Sequence, residues 1–238
     1  MMGKLLYDIL LFDADNTLYD FDACEKIAFR RALDAAGISY AEGMTETYSE
    51  INVGCWKRFE RGEITREELT RLRYALFLER YGIAFDALAL NGLYVGFLSE
   101  AAILLPGAED LIRRLSAEAS VYIITNGLSR VQHGRFDRSP LTPYVKDVFI
   151  SEELGANKPD KLYFDRVIAR IPGFERARAV VIGDSLTSDI KGANNAGLHA
   201  VWYDRSRGRE RPDGQVFDAR VTDYRELLRF LYREGEET

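Results

Sequence analysis

Asp13 and Asp15 stand one residue apart in ILLFDADNTLYD, at the end of an apolar run, with the hydroxyl of Thr17 two positions further on. Two acids at that spacing repel each other, and their burial is costly unless something shares the charge. Other polar clusters follow other apolar runs. Thr125, Asn126 and Gly127 come after SVYIIT, Lys158 lies in ELGANKPDK after DVFIS, and Gly183, Asp184, Ser185 and Asp189 come after AVVIG. Asp13, Asp15 and Asp184, with Asp189 behind them, form an all-oxygen acidic set of the kind that suits Mg2+, an ion that keeps several waters and partners substrate phosphate. Lys158 adds a positive charge, and Thr125 with the backbone N–H groups of a following helix start can hold phosphate oxygens.

Such a site suits phosphoryl transfer. A carboxylate can attack phosphorus to give an aspartyl-phosphate, which divides one difficult displacement into two easier ones. A second carboxyl two residues on can protonate the leaving alkoxide and later deprotonate water. Cation and lysine then stabilise charge on the transferring group. A calcium-binding loop is the specific rival for DADNTL, but its sixth position is Leu18, where glycine is needed, and its twelfth is Cys24, where glutamate is needed.

The elements that must carry these residues are legible as buried strands. LLYDILLF, SVYIIT (120–125), DVFIS (147–151), AVVIG (179–183) and HAVWY (199–203) are short apolar runs. The amphipathic segments GAEDLIRRLSA, KLYFDRVIAR and SDIKGANNAG lie between them, the last stopped by Gly197. Alternating strand and helix predicts a parallel α/β sheet with helices on both faces. In such sheets ligands bind beyond the carboxyl ends of the strands, where all four polar clusters would converge. From about Phe21 to Glu100 the pattern is helical throughout, with a capping box at Thr65 and Glu68 and a stop at Gly82. This predicts an inserted helical cap over 20–100 and a core formed by 1–19 and 101–238.

With 238 residues, 47% hydrophobic and 29% charged, the chain is of ordinary globular composition. Its net charge of −6 argues against a protein that coats a polynucleotide. Cys24 and Cys55 are too few for a disulfide framework and read as buried thiols in a reducing compartment. The opening apolar run is broken by Asp8 and no stretch of about 20 apolar residues occurs, so neither signal peptide nor membrane span is expected. Cytoplasmic residence, as a monomer or homodimer, is the expectation.

The motifs DADNT, ITNG, the lysine of NKPD and GDSLTSD resemble those of the haloacid dehalogenase superfamily of aspartyl-phosphate hydrolases. The resemblance spans essentially the whole chain and implies a Rossmann-like core with a cap of the family's first type. It implies that Asp13 is the nucleophile and a metal ligand, and that Asp15 is the acid/base and offers its backbone carbonyl to the metal. Thr125 and Asn126 would bind phosphate, Lys158 would balance charge, and Asp184 would hold Mg2+ with Asp189 in or near its second shell. The true dehalogenases lack the second aspartate of the first motif, so Asp15 points to phosphate chemistry. Sugar phosphomutase relatives carry a histidine leading into the cap, whereas His133 and His199 lie far from it and read as structural.

WKRFERGEIT and ISEELGANKPDKLYF are similar to the bacterial pyrimidine 5'-nucleotidase branch of that superfamily. The expected function is Mg2+-dependent hydrolysis of a small phosphate monoester, a nucleoside monophosphate, with cap closure excluding water and choosing the leaving group. Phosphatases of a sugar phosphate or of phosphoglycolate are the alternative. A non-catalytic module that only accepts phosphate is the remote one, since such modules carry no inserted cap. Tyr48, Asn52, Trp56 and Phe59 follow helical spacing and are either core of the cap or, for Trp56 or Phe59, a stacking surface for a base. Arg58 and Arg61 are either substrate-reaching or simply exposed. RSRGRERPDG (205–214) reads as a solvated loop or a border of the site, and the charged tail from Arg233 as a frayed end.

Overall fold

A computed structural model describes residues 4–205 and 214–232. The tail from Arg233 and all of the RSRGRERPDG loop but its end residues lie outside the described residues. In chain order the elements are β1 (Ile9–Asp13), α1 (Phe21–Ala35), α2 (Met44–Glu60), α3 (Arg66–Tyr81), α4 (Ala87–Glu100), α5 (Ala108–Leu115), β2 (Ser120–Thr125) and α6 (Ser129–Phe136). They continue with β3 (Asp147–Ile150), α7 (Ser151–Leu154), α8 (Lys161–Ile168), β4 (Ala179–Gly183), α9 (Lys191–Ala196), β5 (His199–Tyr203), β6 (Ala219–Val221) and α10 (Tyr224–Leu231). The chain divides into two compact units. One takes in the described residues up to Asp20, Leu104–Ser129 and those from Ser139 onward; the other takes in Phe21–Ile103 and Arg130–Arg138.

The first unit is a six-stranded, wholly parallel sheet in the order β3-β2-β1-β4-β5-β6. Every residue of β1 and β4 is buried, as required of central strands covered by helices on both faces. Leu11, Ile124, Val181, Phe164 and Trp202 share one core cluster. The order reverses at β1: β2 and β3 lie to one side, β4 to β6 to the other. That reversal opens a crevice at the carboxyl ends of β1 and β4, the place where such sheets bind ligands.

Two details depart from the sequence reading. The first strand begins at Ile9 and not at Leu5: the N–H of Leu6 turns to the carbonyl of Leu231 in α10 and not to a neighbouring strand. A sixth strand and α10 close the sheet edge, the helix being capped by Asp223, whose carboxylate accepts from the N–H groups of Arg225 and Glu226 at 2.9 Å each.

In the second unit α1 packs on α4, and α3 on both α2 and α4. The capping box at Thr65 and Glu68 is formed, and Gly82 ends α3 in the left-handed conformation. Tyr48 stacks on Phe29 at 4.2 Å, and Trp56 meets Phe59 edge-on at 5.8 Å. Tyr48, Asn52 and Phe59 are buried in the core of the helical unit, and Trp56 is half-buried beside them. Asn52 donates to Glu25 at 2.6 Å and accepts from Arg73 at 3.0 Å, and Arg73 also reaches Asn91 at 2.8 Å. Arg58 and Arg61 both pair with Glu63.

Arg130–Arg138, which sequence alone leaves in the core, belongs with this unit. Arg135 is fully buried with its guanidinium 5.6 Å from the Phe21 ring, and a Cβ on Gly134 would lie 2.7 Å from the Ser99 carbonyl oxygen. Cys24 and Cys55 are both buried thiols outside any disulfide, and the Cys24 thiol donates to the Ala101 carbonyl at 3.2 Å. Among the described residues no helix is long and apolar enough to cross a membrane.

Candidate active site

Asp13 is the last residue of β1. The chain then turns sharply: Leu18 and Tyr19 both donate to the Ala14 carbonyl at 2.9 Å, Asn16 donates to Tyr19 at 2.8 Å, and Asn16 adopts φ of 60°. Asparagine tolerates that left-handed conformation better than most residues. The turn is tied to the rest of the sheet unit by Leu105, which donates to the Leu18 carbonyl at 2.8 Å, and by the Tyr224 hydroxyl, which donates to the Thr17 carbonyl at 2.7 Å. Half-buried Asp15 sits within this turn, just past the strand end.

Lys158 is 1% exposed, and its ammonium donates to Asp13 Oδ1 at 2.7 Å, Asp189 Oδ1 at 2.6 Å and the Ile124 carbonyl at 3.1 Å. Its backbone is gripped by Asn126: the Asn126 amide donates to the Lys158 carbonyl at 2.8 Å, and the Lys158 N–H donates to Asn126 Oδ1 at 2.9 Å. Thr125 is buried at the end of β2, and its hydroxyl accepts from the Gly127 N–H at 3.0 Å.

Beyond β4, Asp184 enters the same crevice, and Asp189 returns to it from a turn that Ser185 caps by accepting from the Ser188 N–H at 3.2 Å. Asp189 Oδ2 accepts from the Ser185 N–H at 3.1 Å, so both of its oxygens have protein partners. It can approach this closely only because residue 183 is glycine: a Cβ there would lie 2.4 Å from the Asp189 carboxyl carbon. Asp13, Asp184 and Asp189 each present an oxygen within 4.8 Å of the others.

The charges do not balance. Three carboxylates face one ammonium, and burial together with this surplus shows in the acidities of Asp13 and Asp184. Burial pushes Asp13 up to about 7, with Lys158 opposing and Asp189 and Asp15 adding to the rise. Burial likewise raises Asp184 well above the carboxylate range, reinforced by the charges of Asp13 and Asp189. For Lys158, burial disfavours the ammonium, but Asp13 and Asp189 outweigh it and keep the group charged. An all-oxygen cluster with surplus negative charge, two of its carboxylates buried and Asp184 half-buried, is a donor set that fits a hard divalent cation.

The sequence family described as haloacid dehalogenase-like hydrolase matches residues 7–197. The chain belongs to the haloacid dehalogenase-like hydrolases. It is 43% identical over 196 residues to the HAD-hydrolase YfnB of Bacillus subtilis, covering 82% of this chain and 83% of that one. A magnesium-bound crystal structure of YfnB superposes with a TM-score of 0.90 at 39% identity, covering 94% of this chain and 98% of that one. The pyrimidine 5'-nucleotidase PynA of Streptococcus pneumoniae is 38% identical over 84% of both chains. The pyrimidine 5'-nucleotidase YjjG of Escherichia coli is 33% identical, over 94% of this chain and 98% of that one.

In this hydrolase the structure thus brings Asp13, Thr125, Asn126, Lys158, Asp184 and Asp189 to one end of the sheet, with Asp15 in the adjoining turn. Two contributions went unseen in sequence. Ser185 holds Asp189 through its N–H, and its place ahead of LTSD, where a helix cap belongs, is the signal that points to it. The two-point grip of Asn126 on Lys158 has no local signal, since the residues are 32 positions apart.

Proposed function

We propose that this hydrolase cleaves phosphate monoesters of small nucleotides, with Asp13 as the nucleophile. The observation that carries the reaction class is the Asp13–Lys158 pair at the strand end beside Asp184. The nucleotide class is supported by PynA and YjjG, both pyrimidine 5'-nucleotidases. In the first step an Asp13 oxygen attacks phosphorus, the bond from phosphorus to the ester oxygen breaks, and Asp15 gives its proton to the departing alkoxide. In the second, water attacks phospho-Asp13, Asp15 takes the proton, and inorganic phosphate leaves with the Asp13 carboxylate restored.

Thr125 and the main-chain N–H groups after it bind the phosphate oxygens; its hydroxyl, accepting from Gly127, still has its own proton to donate. Asn126, expected to bind phosphate, we assign to holding Lys158 in place. Lys158 keeps its ammonium against the transferring group. Asp13, Asp184 and the Asp15 carbonyl would hold Mg2+, with Asp189 orienting Lys158 from behind. When bound, the cation supplies the positive charge that lets a dianionic phosphate approach buried carboxylates. We assign choice of the leaving group to the helical unit.

A panel of phosphate monoesters assayed with Mg2+ for phosphate release tests this reading. UMP, dUMP and dTMP are expected to turn over faster than sugar phosphates and phosphoglycolate; the reverse order overturns the nucleotide assignment. Absence of any turnover, with stable phosphorylation of Asp13, overturns the hydrolytic one. Asp15→Asn is expected to cripple both steps, and normal turnover in that variant removes Asp15 from its role.

A further inference from the structure

Strands β4 and β5 pair in parallel as far as Gly183 and Trp202. One residue later Asp184 has left the ladder, and its main-chain oxygen needs a donor that the sheet no longer supplies. The indole Nε1–H of Trp202 donates to it at 2.9 Å. That ring is itself held. It is 4% exposed, packs against Phe217 at 5.8 Å and 56°, and carries the Arg220 guanidinium 4.7 Å from its centroid. Arg220 is the register partner of Trp202 on β6, and its Nε donates to Asp204 Oδ2 at 3.0 Å, with Nη2 on the same oxygen. Asp204 is buried. A carboxylate, a guanidinium and an indole thus run in sequence to the main chain of Asp184.

We propose that Trp202 is a positioning residue for Asp184, fixing through its main chain the carboxylate that holds the divalent cation. The proposal rests on the assignment of Asp184 as a cation ligand. The physical reason is tolerance. A peptide that rotates about its neighbours carries its Cα and side chain with it, and functional constellations tolerate displacements of only about 0.5 Å. The Asp184 peptide stands at the end of a strand, where the ladder no longer restrains it, so the indole replaces the missing rung. Phenylalanine would keep an aromatic ring there but lose the donor and part of the indole's volume. Outer-shell partners of metal ligands are worth roughly 10–100-fold in affinity when removed.

Titration calorimetry of the metal-free protein with MgCl2 tests the assignment directly. Four proteins are compared: wild type, Asp184→Asn, Trp202→Phe, and a protein carrying benzothienylalanine at position 202, an isostere in which sulfur replaces the N–H. Asp184→Asn is expected to abolish binding. The two position-202 variants are expected to weaken Mg2+ roughly tenfold or more, and to raise the half-saturating Mg2+ for turnover in step, while KM for substrate at saturating Mg2+ is unchanged. The isostere keeps the packing, so it carries the test if Trp202→Phe does not fold. If the isostere binds Mg2+ as wild type does while Asp184→Asn does not, the positioning role is wrong and the metal site stands. If Asp184→Asn binds as wild type does, the metal site itself is wrong, and this proposal goes with it.

Discussion

The side-chain amide of Asn126 and the main chain of Lys158 exchange two hydrogen bonds, of 2.8 and 2.9 Å, across 32 positions of sequence. Asn126 follows β2 and Lys158 follows α7, so this exchange joins two sequence-distant loops and aims the lysine at Asp13. Asn126→Ala is expected to leave the fold intact and to lower kcat/KM by about 10–100-fold, since two hydrogen bonds to a buried loop are worth on the order of 1–3 kcal/mol. Steady-state kinetics beside circular dichroism measure it. Wild-type kcat/KM in the variant would show that Lys158 needs no such support.

Asp13 ties stability to pH and to metal. Burial pushes its pKa in the folded protein to about 7, above the ordinary aspartate value of 3.8. The folded state therefore binds this proton more tightly than the unfolded state. The stability it contributes is complete below about pH 4 and is lost as pH rises toward 7. Metal-free protein should therefore lose melting temperature across that window, and Asp13→Asn, expected to keep the fold and abolish turnover, should lose less of it. Mg2+ should raise the melting temperature more at pH 8 than at pH 5, because ligands must be deprotonated to bind. A Mg2+ shift equal at both pH values in scanning fluorimetry would contradict this.

Gly183 leaves the room that Asp189 occupies. Gly183→Ala would place a Cβ 2.4 Å from the Asp189 carboxyl carbon, which is anchored by Lys158 and by the Ser185 N–H. The carboxylate must move, and the lysine with it. Expected are a stability loss of about 1–3 kcal/mol, the usual cost of overpacking, and a fall in kcat larger than that of a glycine change where a Cβ has room. Gly54→Ala serves as the control, because nothing lies within 4 Å of its would-be Cβ.

The helical unit holds a buried charge that depends on its partners. Arg73 contacts Asn52 and Asn91, and Asn52 passes the network on to Glu25, whose acidity burial raises against the opposing bonds from Ser49 and Asn52. Arg73→Leu leaves Glu25 buried without its compensating charge, at a cost of about 3–5 kcal/mol. Adding Glu25→Gln should recover part of that loss. The single variant should also weaken further as pH rises above the ordinary glutamate range, since Glu25 must then ionise uncompensated. Thermal melts of the single and double variants at pH 5 and pH 8 decide the matter.

How much of this was readable in advance follows from the range over which each feature is encoded. β1, β2 and β4 announce themselves because a strand buried on both faces must be apolar at consecutive positions, and Asp13 and Asp184 stand out as the polar residues at which those runs stop. The capping box at Thr65 and Glu68 is local, spanning four residues, and was equally plain. β6 is three residues long and carries Arg220 in its middle, so its pattern is too brief to read. The helical spacing of Trp56 and Phe59 left core and base-stacking open together; burial places Phe59 in the core, while Trp56 is half-buried beside it.

By itself, then, the sequence determined five of the six strands, the helical run after the first of them and the identity of the acidic and basic groups, because hydrophobic period and residue type are properties of neighbours. Tertiary structure alone decided which groups meet. The Lys158 ammonium between Asp13 and Asp189, the Asn126 amide on the Lys158 backbone and the Trp202 indole on the Asp184 carbonyl each join residues 18 to 145 positions apart. Nothing in a local pattern encodes such pairings. They exist because a parallel sheet whose order reverses at β1 delivers separate strand ends to one crevice, where buried charges and unpaired backbone groups must find partners in whatever the other strands bring.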